Sequence, residues 1–156
     1  MRMRGFTLIE LMVTLAILAL LSSIALPLAQ IAVQRQKEHE LRLALREIRN
    51  GLDDYKRASG EGRVLTLLDG NGYPASLEVL VTGVPDQRSA KPRQIYFLRS
   101  IPRDPFHEDP SVPDAQTWSL RSYASDPDNP RPGEDVYDVH STSEVVGLNG
   151  IAYRRW

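Results

Sequence analysis

Cysteine is absent from this chain of 156 residues. That excludes a disulfide framework, a cysteine-based zinc site and a thiol nucleophile, so an exported domain must be held together by packing or by a hard cation. A surplus of one charge is missing as well. Lys and Arg number 19 against 20 for Asp and Glu, a formal net charge of -1, and both signs are spread along the chain. This balance offers no broad cationic field to nucleic acid or anionic lipid. Histidine is scarce, with His39, His107 and His140 far apart, and no helix-borne His pair, nucleophile elbow or phosphate loop accompanies them. Little here supports catalysis, so an enzyme is not expected. The length allows one modest domain plus an appendage rather than two ordinary domains.

What the chain does have is "RMRGFTLIELMVTLAILALLSSIALP", residues 2 to 27. Leu11 to Leu26 carries no charge, and its only polar side chains are Thr14, Ser22 and Ser23. A membrane span needs roughly 20 apolar residues. Phe6 to Leu28 meets that length provided Glu10 is tolerated. Arg2 and Arg4 precede the run, which predicts a single pass with the N-terminus inside and the rest of the chain outside. Glu10 is the anomaly, because a charge at a bilayer centre costs about 2.5 to 3.5 kcal/mol, and less near its edge.

Two plain readings fall short. A secretory signal peptide would have a shorter apolar core, whereas this run continues into a helical pattern, although the small residues of "SSIALPLAQ" could serve as a weak cleavage site. In a simple anchor, Thr7 and Glu10 have the spacing of a capping box, and the carboxylate meets the positive end of the helix dipole for about 0.3 to 1 kcal/mol. That accounts for the local geometry but not for a charge in the apolar phase.

Taken as a unit, "RGFTLIELMVTLAILALLSSIALP" resembles the type IV prepilin and pseudopilin signature: a basic leader ending in Gly, then Phe-Thr-Leu, an acidic residue fifth after the Gly, and an apolar helix containing Pro. In that family a membrane peptidase cuts after the Gly and methylates the new N-terminal amine. The resemblance implies cleavage between Gly5 and Phe6, N-methylation of Phe6, and retention of the apolar helix. The new amine would be largely protonated at neutral pH. An unpaired charge in apolar surroundings costs several kcal/mol, so Glu10 pairing with the amine of an adjacent subunit would select one axial offset and act as a register mark for assembly. The expected organisation is a leader at 1–5, a membrane and assembly segment at 6–28, and a periplasmic head at 29–156 that includes the amphipathic half of the helix.

Beyond the membrane segment, Pro27 cannot donate to the carbonyl of Ser23, and a kink or local loosening is expected there. Leu41, Leu45, Ile48, Leu52 and Tyr55 then recur at spacings of four and three, with Arg35, Lys37, Glu38, Arg42, Glu47 and Arg49 on other faces, which predicts an amphipathic helix covering a core. Gly51 weakens it by about 1 kcal/mol relative to Ala, and Gly60 with Gly62 ends it. "ASLEVLVTG" reads as a short helix capped by Ser76 and stopped by Gly83. A long proline-bearing connection follows. "QTWSLRSYA" and "EDVYDVHS" alternate as two antiparallel strands, with a third predicted near Ile151 to Tyr153. The fold class is therefore α+β, a long helix packed against a small antiparallel sheet.

"YPASLEVL", "IPRDPFHEDP", the Trp of "TWSLRSY", "DVYDVHSTSE" and "LNGIAYRRW" narrow the resemblance to the major pseudopilin of type II secretion systems, often called the G subunit. It implies a homopolymer anchored in the bacterial inner membrane, with minor pseudopilins, a prepilin peptidase and an inner-membrane assembly platform with its ATPase as partners, and no nucleic acid. Members of that family bind calcium in a C-terminal Asp-rich loop. Here that loop offers Glu144 and Asn149 without a run of Asp, while Asp126, Asp128, Glu134 and Asp135 lie in an earlier loop as alternative ligands. No other cofactor is expected. Two rival readings stay open: a type IV pilin of a surface filament, against which the lack of cysteine argues mildly, and a monomeric membrane-tethered binding module.

Overall fold

In the computed structural model, which describes residues 6–65 and 70–156, helix α1 runs over Leu8–Gly60 with Pro27 inside it. Its end is built by the expected glycines. The N–H of Gly62, at a φ of 68°, bonds to the carbonyl of Ser59 at 2.9 Å, and the N–H of Arg63 bonds to that of Ala58 at 2.9 Å. This is the paired closure in which a glycine in the left-handed region lets the chain satisfy the last free carbonyls.

The chain divides into two compact units, the first ending at Gln36 and the second spanning Lys37–Trp156. In the first, large apolar side chains are exposed on every side of the helix, from Leu8 through Leu15 and Leu21 to Leu28. The helix is long and apolar enough to cross a membrane, with a mean hydropathy of 2.4 over 18 residues.

The second unit is organised on the predicted stripe. Leu41, Leu45, Ile48 and Leu52 are all at most 3% exposed, and Tyr55 is half-buried with its ring centroid 5.1 Å from that of Phe97. Burying each such side chain contributes about 1.5 to 3 kcal/mol. Against them pack Leu77 and Leu80, Leu98, Trp118, Val136, Val139 and Tyr153. Gly51 faces the core, where a Cβ would lie 3.0 Å from Cγ of Leu98. The glycine that weakens the helix thus admits Leu98 to close contact.

Helix α2 covers Glu78–Thr82. Its N-cap is Leu77 in helical geometry with no side-chain cap, so Ser76 does not cap it as predicted. The predicted stop holds: Gly83 sits at a φ of 79°. The long proline-bearing connection contains a short antiparallel pair, β1 (Val84–Pro85) with β2 (Gln94–Ile95). Strands β3 (Trp118–Arg121) and β4 (Asp138–Ser141) pair antiparallel as expected, Trp118 opposite Ser141 and Leu120 opposite Val139. Trp118 and Val139 turn inward at 4% and 0% exposure. The third strand does not form. A single bridge joins Val146 to Ala152, because the turn in which Gly150 donates to the carbonyl of Gly147 at 2.9 Å reverses the chain at once. Tyr153–Arg155 then coil into a 3-10 turn that carries Tyr153 into the core. The architecture is α+β, with two small antiparallel sheets in place of one.

Candidate functional site

At the start of α1, Thr7 Oγ1 accepts the backbone N–H of Glu10 at 3.3 Å, and the Thr7 carbonyl accepts that of Leu11 at 3.2 Å. This is one half of the capping box. The other half is not made among the described residues: the Glu10 carboxylate is exposed and bonds to nothing there. Capping therefore does not use the charge, and a carboxylate stands in the first turn of an otherwise apolar helix. Phe6 is 81% exposed just before it. Gly5, the residue before the expected cut, lies outside the described residues.

Of the five acidic residues considered for calcium, three have partners of their own. Asp126 Oδ1 accepts the N–H of Asp128 at 2.8 Å, closing a turn. Asp135 uses one oxygen for the N–H of Tyr123 at 2.8 Å and the other for the Asn71 side-chain amide at 2.6 Å. Glu144 is exposed and 3.4 Å from Arg154, Asp128 and Glu134 are exposed, and among the described residues no three carboxylate or imidazole groups gather. A calcium ion needs six to eight converging oxygens. These residues do not fit one.

The histidines are likewise dispersed. His39 is exposed on α1, His107 Nδ1 lies 3.4 Å from Thr142 Oγ1, and His140 is half-buried on β4. Burial pushes the imidazole of His140 below its ordinary pKa, against the opposing pull of Asp138, with Arg49 and Arg121 adding to the depression. Asp138 is committed elsewhere, holding Arg49 Nε at 2.7 Å.

Two residues placed on the outer faces of the helix turn out to hold the C-terminal segment. Glu38 is 5% exposed, and its Oε1 accepts the N–H of Leu148 at 2.7 Å and the hydroxyl of Tyr153 at 3.0 Å, with Arg42 at 3.6 Å. Arg49 donates to Asp138, to the carbonyl of Val139 at 3.1 Å and to the oxygen of Trp156 at 3.0 Å. Glu38 falls one turn before Leu41 and two before Leu45, on the edge of the apolar stripe, and that phase is the only sequence signal of its burial. Asp104 is fully buried, accepting from the Ser141 hydroxyl at 2.6 Å and the N–H of Phe106 at 2.9 Å. No periodic pattern marks it.

Residues 1–26 match the family model described as the prokaryotic N-terminal methylation motif. Neither a curated protein nor a solved structure matches the chain. The motif supports a prepilin-type subunit, pilin-like and processed at its N-terminus, held at the inner membrane by its apolar helix, and it indicates a structural subunit rather than an enzyme.

Proposed function

We propose that the chain is a subunit of a type II secretion pseudopilus, cut between Gly5 and Phe6, methylated on Phe6, and polymerised through its N-terminal helix. The observation that carries this reading is a free carboxylate at Glu10, four residues after Phe6, in the first turn of a helix whose N-terminal half exposes its large apolar side chains. In a polymer that surface is covered by neighbouring helices, and Glu10 neutralises the Phe6 amine of the next subunit. The sequence carries no phosphate-loop motif, and in this reading extraction of the helix from lipid falls to a platform and ATPase. Minor pseudopilins complete the assembly. The absence of cysteine favours this over a surface pilin with a C-terminal disulfide.

Mass spectrometry of the mature protein tests the processing: the expected N-terminus is methylated Phe6, and an intact Met1 would refute the polymer. Glu10→Gln keeps shape and hydrogen-bonding capacity but removes the charge. Filament formation should fall sharply while membrane insertion persists; normal filaments would show that the charge pair is not needed. Loss of secretion in a deletion strain, restored by this chain, separates the secretion role from that of a surface filament.

A further inference from the structure

The C-terminal turn of the head presents aliphatic side chains to its surroundings. Residues 145–153, "VVGLNGIAY", carry no charge, and Val145, Val146, Leu148 and Ile151 are 57, 55, 45 and 48% exposed. Val146 pairs with Ala152, and Gly147 donates to the carbonyl of Ile151 at 2.9 Å, so the segment closes as a small hairpin with its tip at 148–150. Successive residues of an extended strand point to opposite sides, which places Val145 and Val146 on the two faces of the hairpin. Single exposed aliphatics are ordinary on a protein surface, whereas a group of them at one tip marks a contact.

The tip also satisfies its backbone donors within the protein. The N–H of Val145 bonds to Ser143 Oγ at 3.3 Å, that of Leu148 to Glu38 Oε1 at 2.7 Å and that of Ile151 to Asn149 Oδ1 at 3.0 Å. Gly150 donates to the carbonyl of Gly147 at 2.9 Å, and Tyr153 to that of Val145 at 3.1 Å. None of these donors needs water. Irregular backbone meets lipid only when its polar groups are satisfied by protein, because an unbonded group in apolar surroundings costs several kcal/mol. Asn149 is the only polar side chain in 145–152, and its oxygen is engaged inside the turn.

Within the head, the C-terminal segment runs toward the N-terminal end of the head's helix. Arg49 bonds to the oxygen of Trp156 and Arg42 stacks on its ring at 4.6 Å, while Glu38, farther up the helix, holds Leu148 and Tyr153. Glu38 follows Leu28 by 38 − 28 = 10 residues, all of them in α1. Ten residues of helix rise no more than about 15 Å, whatever the mutual setting of the two units. The headgroup layer, roughly 5 to 7 Å on each side of the hydrocarbon, and the lean of helix side chains toward the N-terminus shorten that reach. We infer that the 145–151 hairpin seats in the headgroup layer of the membrane that the chain's own helix crosses. The inference rests on the membrane anchoring of that helix and adds a second point of attachment, in the head. The tether decides for phospholipid over a second copy of the chain: it keeps a lipid surface within reach of every subunit, whereas another copy has to be encountered. Aliphatic surface on both faces of the hairpin suits a tip inserted end-on at the headgroup boundary.

The test uses the full chain in vesicles of phosphatidylethanolamine and phosphatidylglycerol at low protein density. The chain has no cysteine, so Leu148→Cys, Glu61→Cys and Leu18→Cys each carry one environment-sensitive fluorophore, and lipids spin-labelled near the headgroup or deep in the acyl chain quench it. Glu61 is exposed just past the end of α1 and serves as the distant control. The label at 148 should be quenched by the shallow lipid about threefold or more over the label at 61, and the label at 18 chiefly by the deep one. Equal quenching at 148 and 61, with the label at 18 quenched, overturns the seat and leaves the anchor standing. No quenching at 18 overturns the anchor and the seat together. A label at 148 that becomes shielded only at high protein density, without lipid quenching, gives the hairpin to a second copy and overturns the lipid seat. Ile151→Asp puts a charge in the tip and should bring the label at 148 to the level of 61, while Ile151→Val should leave it unchanged. Val145→Asp repeats this from the other face of the hairpin. Undiminished quenching in both Asp variants would refute the inference, and an unchanged melting curve of either verifies that its head is folded.

Discussion

Leu18 and Leu41 are on the same helix, yet the first is 59% exposed and the second 0%. The first unit presents apolar side chains to its surroundings on all sides. The second shows one apolar stripe that α2, β3, β4 and Tyr153 cover. A helix that is apolar all round takes its stability from what surrounds it; a helix with one stripe takes it from its own chain. The difference predicts that similar substitutions act on different properties in the two units.

The largest contrast comes from one substitution made twice. Leu45→Ala should lower the stability of the head by about 2 to 5 kcal/mol, through lost burial and the cavity left behind. Leu18→Ala should change it by no more than about 0.5 kcal/mol. Denaturant unfolding of the full chain in detergent, followed by near-ultraviolet circular dichroism, measures both. A comparable loss from Leu18→Ala would end the division into two independently stabilised units.

Next in size is Glu38, which belongs to the second unit through hydrogen bonds rather than apolar contact. Glu38→Ala leaves the Leu148 N–H and the Tyr153 hydroxyl without their acceptor, for a loss of about 1 to 3 kcal/mol. Amide hydrogen exchange should rise first at Leu148 and Tyr153. Unchanged protection there would mean that the C-terminal segment is held by Arg49 and ring packing alone.

A smaller effect is expected at Gly51. In an open helix Gly→Ala would add about 1 kcal/mol, but here the new methyl meets Leu98 at 3.0 to 3.4 Å. The melting temperature should therefore stay level or fall. A clear rise would show that Leu98 gives way freely.

The smallest effect is a pH slope. His140 titrates lower in the folded state because burial disfavours its charged form, so the unfolded chain binds the proton first as pH falls. Stability of the head should decline from pH 7 downward through the ordinary histidine range, by less than about 1.4 kcal/mol per pH unit and further reduced by partial exposure. His140→Gln should flatten the slope. Asp86, lowered chiefly by the hydrogen bond from Arg63, and Asp109 lose their contributions only in the acid carboxylate range, so measurements above pH 5 isolate the histidine.

Most of the helix was legible because its signals are local. The stripe from Leu41 to Leu52 has the 3.6-residue period, Gly62 provides the left-handed turn, and the run from Phe6 to Leu28 has the length of a bilayer span. The two alternating strands were legible for the same reason, with Trp118 and Val139 both turned inward. The N-terminal constellation of Gly5, Phe6 and Glu10 could be read as a motif, since its meaning lies in order and spacing. Ser76 was misread as a cap because capping preference is a weak local bias that the backbone at Leu77 overrides. The third strand failed at Gly150, where a turn competes with pairing. Glu38, Arg49 and Asp104 were not legible as buried groups, because each is held by partners many residues away.

The amino-acid sequence by itself determined the apolar helix, its acidic residue, the stripe that follows and the alternation of β3 and β4, since each is a pattern among neighbours in the chain. Only the tertiary structure decided that Glu38 and Arg49 clasp the C-terminal segment, and that Asp126, Asp135 and Glu144 serve a turn, hydrogen bonds and an ion pair. Those outcomes depend on distances between residues far apart along the chain, which periodicity and spacing do not encode.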